Sequence, residues 1–447
     1  MPFLWWMLFS NVVWSNEGFF PSNHPAVIEW NHCTASHISN TGLILTNYHC
    51  ITVQILEAQQ MQPQILENGF LASKIQEEIP VSDPRNPQKQ AHLVYVPPLH
   101  LAMNGGAASN WQWPRASADI AILRIEANPQ YLHLSRDGWK ANDPITVIGY
   151  PQQTFRNAPL SLWDYWIDIH LAWHIQTEQN AIDWMQSHQN QIPQNQLLYY
   201  QSWLGNLQNY LTYHEQLSKQ LSGQRSTWLL QNPQKSSLSI EELQEAYPMQ
   251  YAYDRVQLIK MLHPIFQQNL SCDTMSFIDQ QLLQYQLESM QNWSQIPSND
   301  DQSCQSIKRL LAENIPKPSY QFQPQQYLNA NADQRRSQGQ ILNQKPTTLS
   351  HVEFAQGWVI AQDIPVNFLS NVDVSAGHSG APTLNRKGEI IGVVFDMTKE
   401  SILSDWMYLP SHQTIHMDVG YLYWLLEQTP ESKMLLQEIL APQELSK

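Results

Sequence analysis

Two strand-rich parts of the chain enclose a long part with a different pattern. Residues 25–159 consist of short apolar runs separated by turn residues, as expected for β-strands. From about 160 to 344, Gly and β-branched residues become scarce, and Leu and Trp recur at helical spacing among many Gln. Strands return at Gly357–Ala361 and Glu389–Phe395, before a helical end. The sequence therefore predicts a mainly β fold with an α-helical insertion.

The borders between these parts define the expected domains. We predict a signal peptide in residues 1–15, a first β-barrel in 17–158, a helical cap insertion in 159–345, and a second β-barrel with C-terminal helices in 346–447. The strands expected in the first barrel are Val27–Trp30, Gly42–Thr46, Ile51–Ile55, His92–Val96, Asp119–Ile125 and Ile145–Gly149.

The first fifteen residues are almost wholly apolar and are followed by the polar segment Asn16-Glu17-Gly18. This run is too short to span a bilayer as a helix, which favours a cleaved signal peptide; a buried N-terminal strand is the alternative. No other run is long and apolar enough to cross a membrane. We therefore expect an exported protein with no stable membrane insertion once the signal is removed.

The four cysteines lack the Cys-x-x-Cys spacing of zinc and redox sites. They fall into two pairs that are local in sequence, Cys33 with Cys50 and Cys272 with Cys304. Because an exported protein would meet oxidising conditions, we predict a disulfide in each pair. Four buried thiols in a reducing compartment would be the alternative.

The chain carries a strong excess of acidic residues. Lys and Arg total 24 against 39 Asp and Glu, a formal net charge of −15. Such a surface repels phosphate backbones, so nucleic acid is excluded as a partner.

Ser379 stands between glycines in the segment Gly377-His378-Ser379-Gly380-Ala381-Pro382. Glycines let the backbone bend so that the amides of Gly377 and Ser379 can point at one spot, as in an oxyanion hole. The same pattern occurs in ordinary turns, so by itself it identifies a nucleophile only weakly.

A serine nucleophile needs a histidine base and a buried carboxylate that orients it, and the first part of the chain has a candidate for each. His49 follows an apolar strand and precedes Cys50, and Asp119 opens another strand. Alone, each is more often a structural residue. The order His49, Asp119, Ser379 is the chymotrypsin order, however. Together they predict a chymotrypsin-like double β-barrel, the trypsin-like fold of the PA clan, with the triad in the cleft between the barrels.

Four segments are more specific: Gly42–Cys50, Asn110-Trp111-Gln112-Trp113-Pro114-Arg115, Val147–Pro151 and Ser379–Asp396. Together they resemble bacterial dipeptidyl-peptidases of serine peptidase family S46. The resemblance covers both strand-rich parts, roughly residues 17–158 and 350–440, and implies the same triad. It also implies a homodimer and a periplasmic location.

The resemblance further implies substrate-binding roles. Asn110, Trp111 and Asp396 would hold the free α-amino group of an oligopeptide, so that dipeptides are released. The residue after the Phe-Asp step lines the P1 pocket in that family, as glycine where bulky apolar side chains are accepted and as arginine where acidic ones are. Here it is Met397, and we expect small or medium uncharged P1 residues to be preferred.

The chain departs from the family pattern at several places. His378 stands where an asparagine is usual, and Tyr48 where a histidine is usual. The helical insertion is much shorter than the family's cap, which supplies a further ligand for the amino group; Asn209 is a candidate substitute. A shorter cap could leave the cleft open, which would make the enzyme an endopeptidase.

No cofactor and no metal are expected from the sequence. His170 and His174 have the i, i+4 spacing of two ligands on one helical face, but the sequence offers no His-Glu-x-x-His pattern and no clear third ligand. The leading interpretation is an exported serine dipeptidyl-peptidase acting through an acyl-enzyme. The alternatives are a serine endopeptidase of the same fold and a catalytically silent peptide-binding protein.

Overall fold

The computed structural model describes residues 24–231 and 336–441, with gaps at 84–85, 105, 107–109, 153, 157–162, 165, 192–196, 345, 349–350, 355–356 and 361–363. The described residues form two compact units. One contains those up to 157 and those from 327 onward, and the other contains those between. Within the helical insertion, apolar residues at helical spacing also predict helices at Ile240–Gln268 and Thr274–Gln291. These segments, the predicted signal peptide and the Cys272–Cys304 pair lie outside the described residues.

The first sheet of the larger unit is built from the N-terminal strands. It has seven strands in the order β1-β2-β3-β7-β6-β4, and β5 pairs with β6. All of these pairings are antiparallel. The strands are β1 (Val27–Trp30), β2 (Cys33–His37), β3 (Leu43–Thr46), β4 (Phe70–Leu71), β5 (Ile79–Asp83), β6 (Asn86–Val96) and β7 (Ala121–Arg124).

The second sheet also has seven strands, in the order β10-β13-β16-β15-β14-β8-β9, and a separate hairpin joins β11 to β12. Its pairings are antiparallel as well. The strands from this part of the chain are β8 (Pro144–Ile148), β9 (Arg336–Gln340), β10 (Thr347–Thr348), β11 (His351–Phe354), β12 (Gly357–Ile360), β13 (Pro365–Ser370), β14 (Pro382–Leu384), β15 (Ile390–Met397) and β16 (Thr414–Asp418).

The two sheets share one apolar core. Leu43 and Leu45 of β3 belong to the same buried cluster as Phe395 of β15 and Met417 of β16. Ile44, which points to the opposite face of β3, belongs to a second cluster with Trp30. Burial on both faces explains why β3 reads as a continuous apolar run rather than an alternating one.

Two strand predictions differ from the structure. Residues Ile51–Ile55 form the end of a 3₁₀ turn and the start of helix α1 (Thr52–Ala58). Ile51, Ile55 and Ala58 are buried at helical spacing, so the helical period prevails over the β-branched composition. The strand predicted at Ile145–Gly149 forms as β8, but it pairs with β14 and β9 in the second sheet.

The remaining helices follow the apolar periodicity. After α2 (Ile65–Asn68) and α3 (Leu99–Ala102), the smaller unit contains α4 (Ala172–His188), preceded by a π-helical turn, and α5 (Leu197–Gln231). The expected helical end forms as α6 (Val419–Leu426) and α7 (Pro430–Leu440). Among the described residues, no helix combines the length and apolarity that a membrane crossing would need.

Helix α7 returns to the first sheet. The Arg124 guanidinium at the end of β7 donates from Nη1 to Glu438 Oε1 at 2.6 Å and from Nε to Glu78 Oε1 at 2.7 Å. Thr429 begins the helix with a reciprocal capping interaction with Ser432. The C-terminal segment thus braces the sheet that carries the candidate base.

Candidate active site

The predicted disulfide between Cys33 and Cys50 is present, with its Cα atoms 6.1 Å apart. Cys33 begins β2, and Cys50 follows His49 in the turn after β3. The disulfide therefore fixes the turn that carries the candidate base. The sequence separation of 17 residues corresponds to a stabilisation of about 3 kcal/mol from the reduced entropy of the unfolded chain.

His49 and Asp119 form a buried hydrogen-bonded pair. The distance from His49 Nδ1 to Asp119 Oδ2 is 2.6 Å, and the His49 backbone N–H donates to Asp119 Oδ1 at 3.1 Å. Asn47 Nδ2 donates to the Asp119 carbonyl at 2.7 Å. A carboxylate accepts at Nδ1, so the ring proton stays on Nδ1 and the lone pair is on Nε2. This is the arrangement that a general base requires.

The Ser379 loop is anchored to the first sheet through Thr34. The Thr34 backbone N–H donates to the Ser379 carbonyl at 2.7 Å, and its Oγ1 donates to the Gly377 carbonyl at 2.8 Å. Gly377 and Gly380 have φ values of 91° and 84°, in the region that glycine favours. A Cβ on Gly380 would lie 1.9 Å from the Thr34 carbonyl oxygen. The loop therefore needs glycine for space as well as for conformation.

Two backbone amides in this loop are available for a ligand. The N–H groups of Gly377 and Ser379 have no hydrogen-bond acceptor among the described residues, whereas the neighbouring amides of His378 and Gly380 donate to Ser375 and Val394 carbonyls. The His378 side chain also holds the loop, because its Nδ1 accepts from the Ser375 N–H at 3.1 Å. His378 thus supports the loop at the position where the resemblance leads us to expect an asparagine.

A single cleft collects most of the residues proposed from the sequence. It is lined by His49, Trp111, Gly377, Ser379, Asp396 and Met397, together with His32, Cys33, Val374, Ser375, Ala376, Val394 and Phe395. Asp119 lies behind His49, away from this lining. Asn110 is buried beside Trp111, and Asn209 lies on α5 in the smaller unit.

Asp396 has a partner that the sequence reasoning did not assign. The Arg115 guanidinium donates from Nη1 to Asp396 Oδ2, and the Met397 N–H donates to Oδ1 at 2.8 Å. Burial raises the pKa of Asp396, and the positive charge of Arg115 acts in the opposite direction. Arg115 ends the Asn-Trp-x-Trp-Pro-Arg segment, but that segment does not indicate that its partner is Asp396.

Asn110 and Trp111 carry marks of a binding position. Both Nδ2 and Oδ1 of Asn110 are buried and have no hydrogen-bond partner among the described residues. Leaving a buried amide unpaired costs about 1–3 kcal/mol for each group. Trp111 has a φ of 62°, which is strained for a bulky residue and typical of functional sites. These features favour a polar ligand over simple core packing.

A second network of buried charges contacts the segment that precedes Ser379. Arg156 forms a two-point ion pair with Asp373, at 2.5 and 2.6 Å, and donates from Nε to the Ser404 carbonyl. The adjacent Asp405 accepts from the Ala376 N–H at 3.5 Å. Burial raises the pKa of Asp405 to about 7, with Asp373 adding to the rise and Arg156 opposing it.

We expect Asp405→Asn to stabilise the protein increasingly as pH rises. The pKa of Asp405 is near 3.9 unfolded and about 7 folded, so the stability it contributes is full below pH 4 and is lost as pH rises to 7. Asparagine does not titrate. The free energy of unfolding of the variant, relative to that of the wild type, should therefore increase by on the order of 2 kcal/mol from pH 5 to pH 8. Urea unfolding of both proteins at both pH values measures this. The exposed Asp137→Asn is the control, and an unchanged difference between pH 5 and 8 would contradict the assignment.

Comparisons with known proteins identify the family. A family model described as Peptidase S46 matches residues 19–89, 89–238 and 325–441, which is more than half of the chain. The Asp/Glu-specific dipeptidyl-peptidase of Shewanella putrefaciens is 40% identical over 77 residues, 17% of this chain and 10% of that protein. Dipeptidyl-peptidase 7 of Capnocytophaga gingivalis is 22% identical over 254 residues, 36% of this chain and 34% of that protein. The matched parts thus span about a third or less of these relatives' length.

Solved structures extend the likeness to the fold. The crystal structure of Porphyromonas endodontalis DPP11 aligns with a TM-score of 0.61 at 16% identity, covering 93% of this chain and 94% of that chain. The same protein in complex with the dipeptide Arg-Glu aligns with a TM-score of 0.61 at 17% identity. The shared features are two curled antiparallel sheets with added helices.

Proposed function

The chain belongs to peptidase family S46, and we propose on this basis that it is a serine peptidase that releases dipeptides from the free N-terminus of oligopeptides. The observation that carries the proposal is the cleft shared by His49 and Ser379, with Asp119 hydrogen-bonded to His49. We extend the proposal to the fold type, a chymotrypsin-like double β-barrel of the PA clan. The two seven-stranded sheets support it.

The proposed reaction proceeds through an acyl-enzyme. Ser379 Oγ attacks the scissile carbonyl while His49 Nε2 takes the hydroxyl proton, and His49 returns that proton to the leaving amine. Water then attacks the ester by the same route. The free amides of Gly377 and Ser379 would stabilise the oxyanion in both steps. Asp119 keeps the His49 ring in the required tautomer and stabilises its charged form.

Dipeptide release requires a fixed N-terminus. A buried ammonium group needs a carboxylate and amide oxygens, because an unpaired charge would cost several kcal/mol. Asp396 lines the cleft, and the Asn110 amide lacks a partner among the described residues. Arg115 orients the Asp396 carboxylate and neutralises part of its charge. In this proposal the Asp396 carboxylate and the Asn110 amide oxygen both accept hydrogen bonds from the substrate's ammonium group.

The decisive experiment compares a dipeptidyl fluorogenic substrate with its N-acetylated form. We expect cleavage of the free-amine form only, and Asp396→Asn should raise KM for that form by at least about tenfold because a charged hydrogen bond is lost. Asp137→Asn, at an exposed ion pair, should leave KM unchanged.

The outcomes separate three functions. Equal cleavage of both substrate forms would identify an endopeptidase with an open cleft. Peptide binding without turnover that depends on Ser379 would identify a binding protein. Either result would overturn the dipeptidyl-peptidase proposal while leaving the family membership intact.

The composition of the cleft supports uncharged P1 residues. Met397 lines it, and no Lys or Arg is among its described lining residues. An acidic P1 side chain would lack a cation, and an unpaired buried charge is strongly disfavoured. We therefore expect kcat/KM for Ala or Val at P1 to exceed that for Asp or Glu by at least about tenfold, measured on matched dipeptidyl substrates. Faster turnover of the acidic substrates would contradict this assignment.

We also propose that the protein is exported to the periplasm or secreted. The Cys33–Cys50 disulfide supports this, because disulfides persist in oxidising compartments. The apolar N-terminal run is consistent with a signal peptide. The homodimer implied by the family resemblance remains a prediction.

A further inference from the structure

The smaller unit contains a cluster of potential metal ligands that the proposed peptidase reaction does not use. His174 and Glu178 stand one turn apart on α4, and His214 faces them from α5. A ligand atom from each lies within 4.8 Å of the others. The sequence offered His170 as the partner of His174, but the side chain of His170 lies outside those that the structure describes. The neighbouring helix instead supplies the third group.

The two histidines approach the same carboxylate from different sides. His214 Nδ1 lies 2.9 Å from Glu178 Oε2, and His174 Nδ1 lies 3.7 Å from Glu178 Oε1. Ligands bound tetrahedrally to zinc at its usual bond lengths stand about 3.3 Å apart. The two distances, which end on different oxygens of the Glu178 carboxylate, lie on either side of this value. One ligand atom from each residue already lies within 4.8 Å of the others, so side-chain adjustments would bring the three residues around one ion.

The rings and their burial fit the same arrangement. The imidazoles of His174 and His214 have centroids 4.6 Å apart and are tilted by 36°, which is close for two groups that would repel if both were protonated. The side chains of His174, Glu178 and His214 are 5%, 6% and 12% exposed. A divalent cation would match the buried carboxylate with positive charge and leave both rings neutral.

We propose that His174, Glu178 and His214 bind a divalent transition metal ion, with zinc the best match to a His₂Glu ligand set. Three protein ligands leave a fourth position for water. Because the ligands come from α4 and α5, the ion joins two successive helices of the smaller unit. Its role is to fix the packing of this helix pair.

Cobalt provides a direct spectroscopic test. The full-length chain, freed of metal with a chelator, is titrated with Co²⁺ and then with Zn²⁺. We expect one equivalent of Co²⁺ to give the visible absorption of a tetrahedral site, and Zn²⁺ to abolish it. Sulfur charge-transfer bands would point to cysteine ligands instead and would overturn the proposal, as would the absence of any visible spectrum.

Variants identify the ligands. Glu178→Gln and His214→Gln should each weaken Co²⁺ binding by at least about tenfold, whereas Glu215→Gln, an exposed neighbour on α5, should bind normally. Circular dichroism checks that the variants are folded. Unchanged Co²⁺ affinity in both ligand variants contradicts the assignment. Repeating the titration on Ser379→Ala separates this proposal from the peptidase proposal, because metal binding should be the same in that variant.

Discussion

Ser379→Ala is expected to reduce kcat by about a million-fold, because a triad without its nucleophile loses nearly all of its catalysis. Alanine removes the hydroxyl that would form the ester, and Ser375, the other serine of the loop that lines the cleft, lies four residues earlier beside His378. The amides of Gly377 and Ser379 belong to the backbone and are retained, so the oxyanion site and peptide affinity should survive. Turnover of a free-amine dipeptidyl substrate measures the loss, and fluorescence titration with uncleaved peptide measures affinity.

The control for this variant is Ser222→Ala, an exposed serine on α5. It should retain wild-type turnover, and both variants should show the wild-type melting temperature. If Ser379→Ala kept activity within about tenfold of wild type, Ser379 could not be the nucleophile and the acyl-enzyme route would have to be abandoned.

Asp119→Asn is expected to lower kcat by about ten-thousand-fold with little change in KM. The Asp119 carboxylate accepts from the His49 ring at 2.6 Å and from its backbone N–H at 3.1 Å. An amide at this position would present an NH₂ group to Nδ1, so the ring proton would move to Nε2 and block proton transfer from Ser379. Steady-state kinetics at neutral pH checks the loss.

Two observations would accompany this result if the assignment is correct. The half-buried Asp143→Asn should have wild-type kinetics, because Asp143 caps a turn by accepting from the Lys140 N–H. The acylation step, followed in single turnovers, should slow to the same extent as kcat. An Asp119→Asn variant with a raised KM and an unchanged kcat would show that Asp119 acts in substrate binding and not through His49.

Local signals in the sequence identified the groups that meet in the cleft. His49 and Cys50 adjoin a strand of unmistakable apolar character, and the Ser379 glycines mark a turn that few other residues could form. The Cys33–Cys50 pair followed from spacing and the expected compartment. Each of these inferences needed only a few neighbouring residues.

Contacts between residues that are distant in sequence could not be predicted from such local signals. The apolar run of β8 fits either sheet, and only its register with Thr383 and Leu384 of β14 places it in the second. Arg115 and Asp396 are 281 residues apart, so neither sequence neighbourhood discloses the ion pair. The ligand cluster on α4 and α5 was missed for the same reason, since His214 is 36 residues from Glu178.

The segment misread as a strand shows a different limit. Ile51–Ile55 has the β-branched composition of a strand, but the disulfide and the turn at His49 leave room there for a helix. Composition gave the wrong result, and the spacing of Ile51, Ile55 and Ala58 would have given the right one.

The contacts of Thr34 and the adjacent disulfide connect Ser379 and His49, the proposed nucleophile and base, through residues of β2. Ser379 is hydrogen-bonded to Thr34, whose chain neighbour Cys33 is covalently joined to the residue following His49. The position of the Ser379 loop relative to His49 is therefore held by a hydrogen bond and a disulfide, in addition to the packing between the two sheets. We therefore expect substitutions in the core shared by the two sheets to change the width of the cleft, and with it peptide selectivity, before they separate Ser379 from His49.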